Sequence, residues 1–160
     1  MALVTRKRLE RLLRGVFPAL CRPDDRWALA RLEPEEAPLY LAMDVRDREH
    51  NVLVARKLLE RWPDAPDYAI RAALLHDAGK AVRPYRLWER VFTALFESRA
   101  PALPPYPLKT GLAGAWQVRL HHPHYAADRL TDPRVAELVA EHHDPRSEWG
   151  RRLHEVDEDY

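Results

Sequence analysis

Leu9, Leu12, Leu13, Val16, Phe17 and Leu20 recur at the three- and four-residue spacing of a helix with one apolar face, and Arg6, Lys7, Arg8, Arg11 and Arg14 fill remaining positions. The same spacing predicts a short helix at Trp27–Leu32, a helix start at Pro34-Glu35-Glu36, and a longer helix capped by Asp44 or Asp47. That longer helix runs to about Trp62, with Val52, Ala55, Leu59 and Trp62 on its apolar side. After the turn Pro63-Asp64-Ala65-Pro66, Asp67 is expected to cap a helix carrying Ile70, Ala73 and Leu74, with Gly79 as its stop. Leu87, Val91 and Leu95, with Trp88, Phe92 and Phe96 beside them, predict a helix buried on more than one side.

Pro101, Pro104, Pro105 and Pro107 make residues 98–107 a loop, of a length often found bordering a site. A helix is expected from about Gly111 to His121, and Pro123 should open another reaching Leu130. Asp132-Pro133 starts a helix through Val135, Leu138 and Val139 to His142, ended by Pro145. Trp149, Leu153 and Val156 mark a final helix. Alternating strand patterns are nearly absent and no internal repeat is present, so the chain reads as all-α, with about seven to nine helices.

Composition narrows the picture little further. A length of 160 residues suits one domain, 1–160, that can bury a sizeable core. Twenty-six Lys and Arg balance 25 acids, which points to neither nucleic acid nor a membrane as a bulk partner. The basic N-terminal face is read as solvated. Residues 1–14 lack the continuous apolar run of a secretory signal, and no stretch approaches a membrane span. The lone Cys21 can form no internal disulfide, so a reducing cytoplasm is the expected compartment. Nothing in the sequence specifies an oligomeric state.

The chemistry lies in His76-Asp77, at the end of the apolar run Ala72–Leu75. An imidazole and a carboxylate together suit Fe, Mn, Co, Ni or Zn. His142 follows Leu138 by four residues, His143 follows Val139 by four, and Asp157 follows Leu153 by four, which turns them towards the core. His50 sits near the start of its own helix. A single histidine on an apolar face is usually an ordinary core residue, and His121-His122 or His142-His143 could each be a helix end. Their joint convergence on one interior favours a metal, because buried His and Asp are costly unless paired or ligating. His124 and His154 are left outside the site.

The pattern His50 … His76-Asp77-Ala78-Gly79-Lys80 … His122-Pro123 … His142-His143 … Asp157 resembles the HD-domain metal-dependent phosphohydrolase superfamily, over about Asp47 to Asp157. It is closest to the HDIG/HD-GYP-like branch. Asp47-Arg48-Glu49-His50 and Arg86–Val91 look like a group of small stand-alone bacterial HD proteins. The resemblance implies an HD-type helical bundle, with a core at 47–157 and a helical extension at 1–45. It implies that His50, His76, Asp77 and Asp157 are the ligands of the basic site. His122, His142 and His143 would be the added ligands of a two-ion site, with Asp77 as the bridge. Lys80 would steady a phosphoryl oxygen or the attacking water. Asp77 and Lys80 are therefore the expected catalytic pair. Arg83 and Arg86, with Arg46 and Lys109, are candidates for binding substrate phosphate.

Ala78 stands where the HDIG motif usually has isoleucine, and Asp144-Pro145-Arg146-Ser147 replaces the Gly-Tyr-Pro element of cyclic-dinucleotide phosphodiesterases. His121 competes with His122, the Pro123 register favouring His122, and Asp159 is a substitute for Asp157. The expected activity is hydrolysis of a nucleotide or another small phosphate ester. The alternatives are a di-iron HD-type oxygenase and a metal-containing nucleotide-binding module with little turnover.

Overall fold

The computed structural model describes residues 18–160, and the basic helix expected over Leu9–Leu20 falls almost wholly outside them. Eight α-helices and no strand are present among the described residues: α1 (Asp25–Leu29), α2 (Ala37–Leu41), α3 (Val45–Arg61), α4 (Asp67–Leu75), α5 (Leu87–Leu95), α6 (Gly111–Ala127), α7 (Pro133–Glu141) and α8 (Glu148–Glu158). None is long and apolar enough to cross a membrane.

The short helix α4 is the axis of the fold. Every residue from Ala69 to Leu75 is buried, so it is apolar nearly all round and must be enclosed. It packs against α2, α3, α7 and α8. Asn51, fully buried on α3, donates from Nδ2 to the Leu74 carbonyl at 2.9 Å and so serves one of the end carbonyls of α4. Pro66 is the N-cap of α4, and Asp67 is its first helical residue, not its cap.

Asp44 does cap α3, accepting from the Arg46 backbone N–H at 2.9 Å. The Arg46 guanidinium on the same carboxylate lowers its pKa to about 2. A depressed carboxyl stabilises the fold above the ordinary value of 3.8, and that contribution is lost as pH falls through about 2. Acid denaturation of Asp44→Asn should therefore show a shallower pH dependence between pH 4 and 2 than the wild type.

A second polar element inside the core was not legible in the sequence. The Arg71 guanidinium donates to Glu36 from Nη2 at 2.6 Å and from Nε at 2.9 Å, and to Asp132 from Nη1 at 3.1 Å. Arg71 and Glu36 are both buried. Removing one partner leaves an uncompensated buried charge. Arg71→Met should lower unfolding stability by about 3–5 kcal/mol, measured by urea titration. Loss within 0.5 kcal/mol would mean Glu36 is solvated by other means.

Two expectations fail for informative reasons. The α5 helix was expected to be buried on more than one side, yet Trp88, Val91, Leu95 and Phe96 are exposed while Glu89 and Thr93 are buried. The inward polar groups are satisfied: Glu89 accepts from the Arg86 N–H at 2.8 Å and from Arg83 at 3.0 Å, and Thr93 bonds Tyr85 Oη at 2.7 Å. Nor does Pro123 open a new helix; it lies inside α6. The Pro-rich segment is fastened along α6. Gln117 donates to the Pro104 and Pro107 carbonyls and accepts from the Lys109 N–H, His121 bonds the Leu103 carbonyl, and Tyr125 donates to the Pro105 carbonyl. Those three side chains are four residues apart, on one stripe of the helix.

Candidate metal centre

Seven side chains, from α3, α6, α8 and the residues that directly follow α4 and α7, form two adjoining clusters. His50, His76 and Asp77 place ligand atoms within 4.8 Å of one another, and so do His122, His142 and His143. Asp77 stands between them. Its Oδ2 is 3.8 Å from His76 Nε2, and its Oδ1 is 3.4 Å from His122 Nε2. Asp157 joins the first cluster, with Oδ1 at 2.7 Å from His50 Nε2 and 3.5 Å from His76 Nε2. All seven expected ligands are therefore brought together. Asp159, the substitute for Asp157, is instead ion-paired with Arg61. His121 is engaged with Leu103.

Local structure orients these rings. In His76 and His142, Nδ1 meets the carbonyl three residues earlier, Ala73 at 2.9 Å and Val139 at 2.7 Å. In His122, Nδ1 lies 3.1 Å from both the Val118 and Arg119 carbonyls. Pro123 has no N–H to bond the carbonyl four residues back, and that carbonyl is Arg119. The proline thus frees an acceptor that His122 uses. With Nδ1–H donating, Nε2 of the neutral ring is the lone-pair atom facing the cluster. Nε2 of His76 and of His142 is buried with no hydrogen-bond partner, a state buried nitrogens rarely keep without a ligand.

Charge agrees with this geometry. Burial pushes the pKa of His122, His142 and His143 down, His143 to about 4, so this cluster offers neutral imidazoles. Burial alone would also lower His76, but Asp77 and Asp157 outweigh it and raise it to about 9. Asp77 is held well below the carboxylate range despite burial, by Lys80, His76 and His122. Two carboxylates around His76, Asp77 buried and Asp157 partly buried, thus create a demand for positive charge that a divalent cation would meet. Two imidazoles with two carboxylates, beside three imidazoles sharing one carboxylate, are borderline donor sets suited to first-row divalent metals. The residues present fit such ions.

Gly79 was expected to stop α4 but has another role. The helix ends at Leu75, and Gly79 lies in the 3₁₀ turn Ala78–Val82 with a Cβ position 1.9 Å from the His122 carbonyl oxygen. Only the absence of a side chain lets this turn press on α6 and set Asp77 against His122.

Lys80 Nζ is 2.7 Å from Asp77 Oδ1 and 4.0 Å from Asp47. Asp47 is itself gripped by Arg90 at 2.8 and 2.7 Å. Asp47 and Arg90 were missed as parts of the site. Asp47 precedes His50 by three residues and shares its side of α3, which was a usable signal. Arg90 had none. His154, set aside earlier, lies with Nδ1 2.7 Å from the His142 carbonyl and steadies that residue's backbone. Arg46 is occupied by Asp44. Arg83, Arg86 and Lys109 meet one another around a separate cavity and are not among the side chains of the two clusters.

A family model described as HD domain matches residues 51–159, beginning one residue after His50. Neither curated proteins nor solved structures yield a match to the chain.

Proposed function

The chain belongs to the HD-domain family, whose members are generally metal-dependent hydrolases, and we propose that it is a two-ion phosphohydrolase of the HDIG-like branch acting on a nucleotide or another small phosphate ester. The observation that carries this reading is the position of Asp77, with one carboxylate oxygen towards each histidine cluster. His50, His76 and Asp157 would hold one ion, His122, His142 and His143 the other, and Asp77 both. Divalent ions so held activate water near neutral pH and neutralise charge on phosphoryl oxygens.

The protein's own groups supply the remainder. Lys80 is partly exposed and carries a positive charge strengthened by Asp77 and Asp47, suited to a phosphoryl oxygen at the mouth of the site. Arg90 holds Asp47, and Asp47 limits where Lys80 can lie. His143 is exposed and His50 partly exposed while His76, His122 and His142 are buried, so each cluster has a ligand candidate reaching solvent.

The test is hydrolysis of p-nitrophenyl phosphate, its bis ester and a panel of nucleotides by chelator-treated protein and by protein reloaded with Mn, Fe, Co, Ni or Zn. Turnover should appear only after reloading. Full activity in chelator-treated protein free of metal would sink the reading. Oxygen consumption by iron-loaded protein, without phosphate release, would favour the oxygenase alternative.

A further inference from the structure

A cavity of about 510 Å³ opens where the start of α5 meets the start of α6. Its size lies within the range of small-molecule sites. Its walls carry three cationic side chains, Arg83, Arg86 and Lys109, against one carboxylate, Glu89. That carboxylate is already engaged by Arg83 Nη2 and the Arg86 N–H. Arg83 Nη1 is buried with no hydrogen-bond partner. Trp88 also lines the cavity and is 54% exposed, which leaves part of the residue open to a ligand.

The walls are held in place. Gln117 accepts from the Lys109 N–H at 2.7 Å, and Gly114 has a Cβ position 2.0 Å from the Lys109 carbonyl oxygen, so the backbone there is pressed onto α6. Gly111 has φ +58°, and a Cβ there would meet nothing within 4 Å. Thr110, the N-cap of the 17-residue α6, makes no side-chain cap. Arg86 and Lys109, both exposed on the cavity wall, suit a phosphate, and the exposed Trp88 suits a planar ring.

We propose that this cavity binds a nucleotide, its base on Trp88 and its phosphate between Arg86 and Lys109. The 3₁₀ path from Asp77 to Arg83 spans about 12 Å, and Gly111 is about 16 Å from His122 along α6. The cavity is therefore distinct from the metal centre. As a subsite for the far end of a substrate it rests on the phosphohydrolase reading, whereas binding itself does not.

Calorimetric titration with the α,β-methylene analogue of ADP tests it, on the wild type and on His76→Ala. Saturable binding is expected in both. Trp88→Ala and Lys109→Glu, both at exposed positions, should each weaken binding by about tenfold or more, and inorganic phosphate should compete only weakly. No binding, affinity unchanged in both variants, or phosphate competing as well as the nucleotide would each overturn the proposal. The kinetic arm identifies the source. A raised KM with kcat retained in Lys109→Glu marks the far end of the substrate; an unchanged KM with lost nucleotide binding marks a separate effector. Binding without any hydrolysis would sink the phosphohydrolase reading and leave the nucleotide site standing.

Discussion

Asp77→Ala should strip both ions from the protein and lower phosphoester hydrolysis by at least about a thousandfold, since metal stabilisation of the transition state is worth several kcal/mol. The carboxylate serves both clusters, so its removal differs in kind from loss of a peripheral ligand. His143→Ala should lose only the ion of the second cluster, because His143 lies at the rim and Asp77 continues to serve the first. Elemental analysis of the two variants beside the wild type checks this. The expected pattern is near two ions per chain in the wild type, one in His143→Ala and none in Asp77→Ala, with helical circular dichroism retained. Two ions retained in Asp77→Ala would show that Asp77 is not shared. One ion in the wild type, lost in Asp77→Ala but kept in His143→Ala, would reduce the centre to the His50, His76, Asp77 and Asp157 site.

Gly79→Ala should have the second largest effect, although the substitution adds one methyl group and no charge. The added Cβ would lie 1.9 Å from the His122 carbonyl oxygen, 2.7 Å from its carbon and 2.9 Å from the Ala126 nitrogen. All three are backbone atoms of α6, which cannot swing aside as a side chain would. The turn must therefore move, taking Asp77 and Lys80 with it. Overpacking of this kind costs up to about 3 kcal/mol, and displacement of a bridging ligand should weaken binding of the second ion by about 10–100-fold. Urea denaturation of the metal-free protein and metal titration of the folded protein read the two effects separately. Gly111→Ala is the control: it is disfavoured by the positive φ, by about 1–2 kcal/mol, but its Cβ meets nothing and the metal centre should be untouched. Gly79→Ala with wild-type stability and wild-type metal affinity would show that the turn can relax without moving Asp77.

Much of the candidate site was legible in the sequence because its side chains follow helical arithmetic. His142, four residues after Leu138, is fully buried on the core side of its helix, and Asp157, four after Leu153, reaches His50 and His76 as the spacing implied. The all-helical class, the long helix capped by Asp44 and the buried run before His76 likewise follow from short-range periodicity and capping, which act within a few residues. The choice between His121 and His122 was also present in the chain, because a proline one residue on frees a carbonyl that only the preceding side chain is placed to use.

Other features depended on distant partners. The apolar residues of α5 suggested burial, but an amphipathic pattern states only that two faces differ. Glu89 and Thr93 turned inward because Arg83, Arg86 and Tyr85 were there to satisfy them. The Arg71–Glu36–Asp132 network and the Arg90–Asp47 pair join residues 35 to 61 positions apart, beyond the reach of any local pattern. Gly79 looked like a helix stop because glycine commonly is one; that its missing side chain admits the His122 backbone is a fact about two elements in contact. By itself the sequence determined which residues could ligate and which helices carry them, since helix phase is a local property. Only the tertiary structure decided that Arg90 holds Asp47 beside the Lys80–Asp77 pair, and that Arg83, Arg86 and Lys109 line a cavity of their own, because each is set by how helices pack and not by how any one of them is wound.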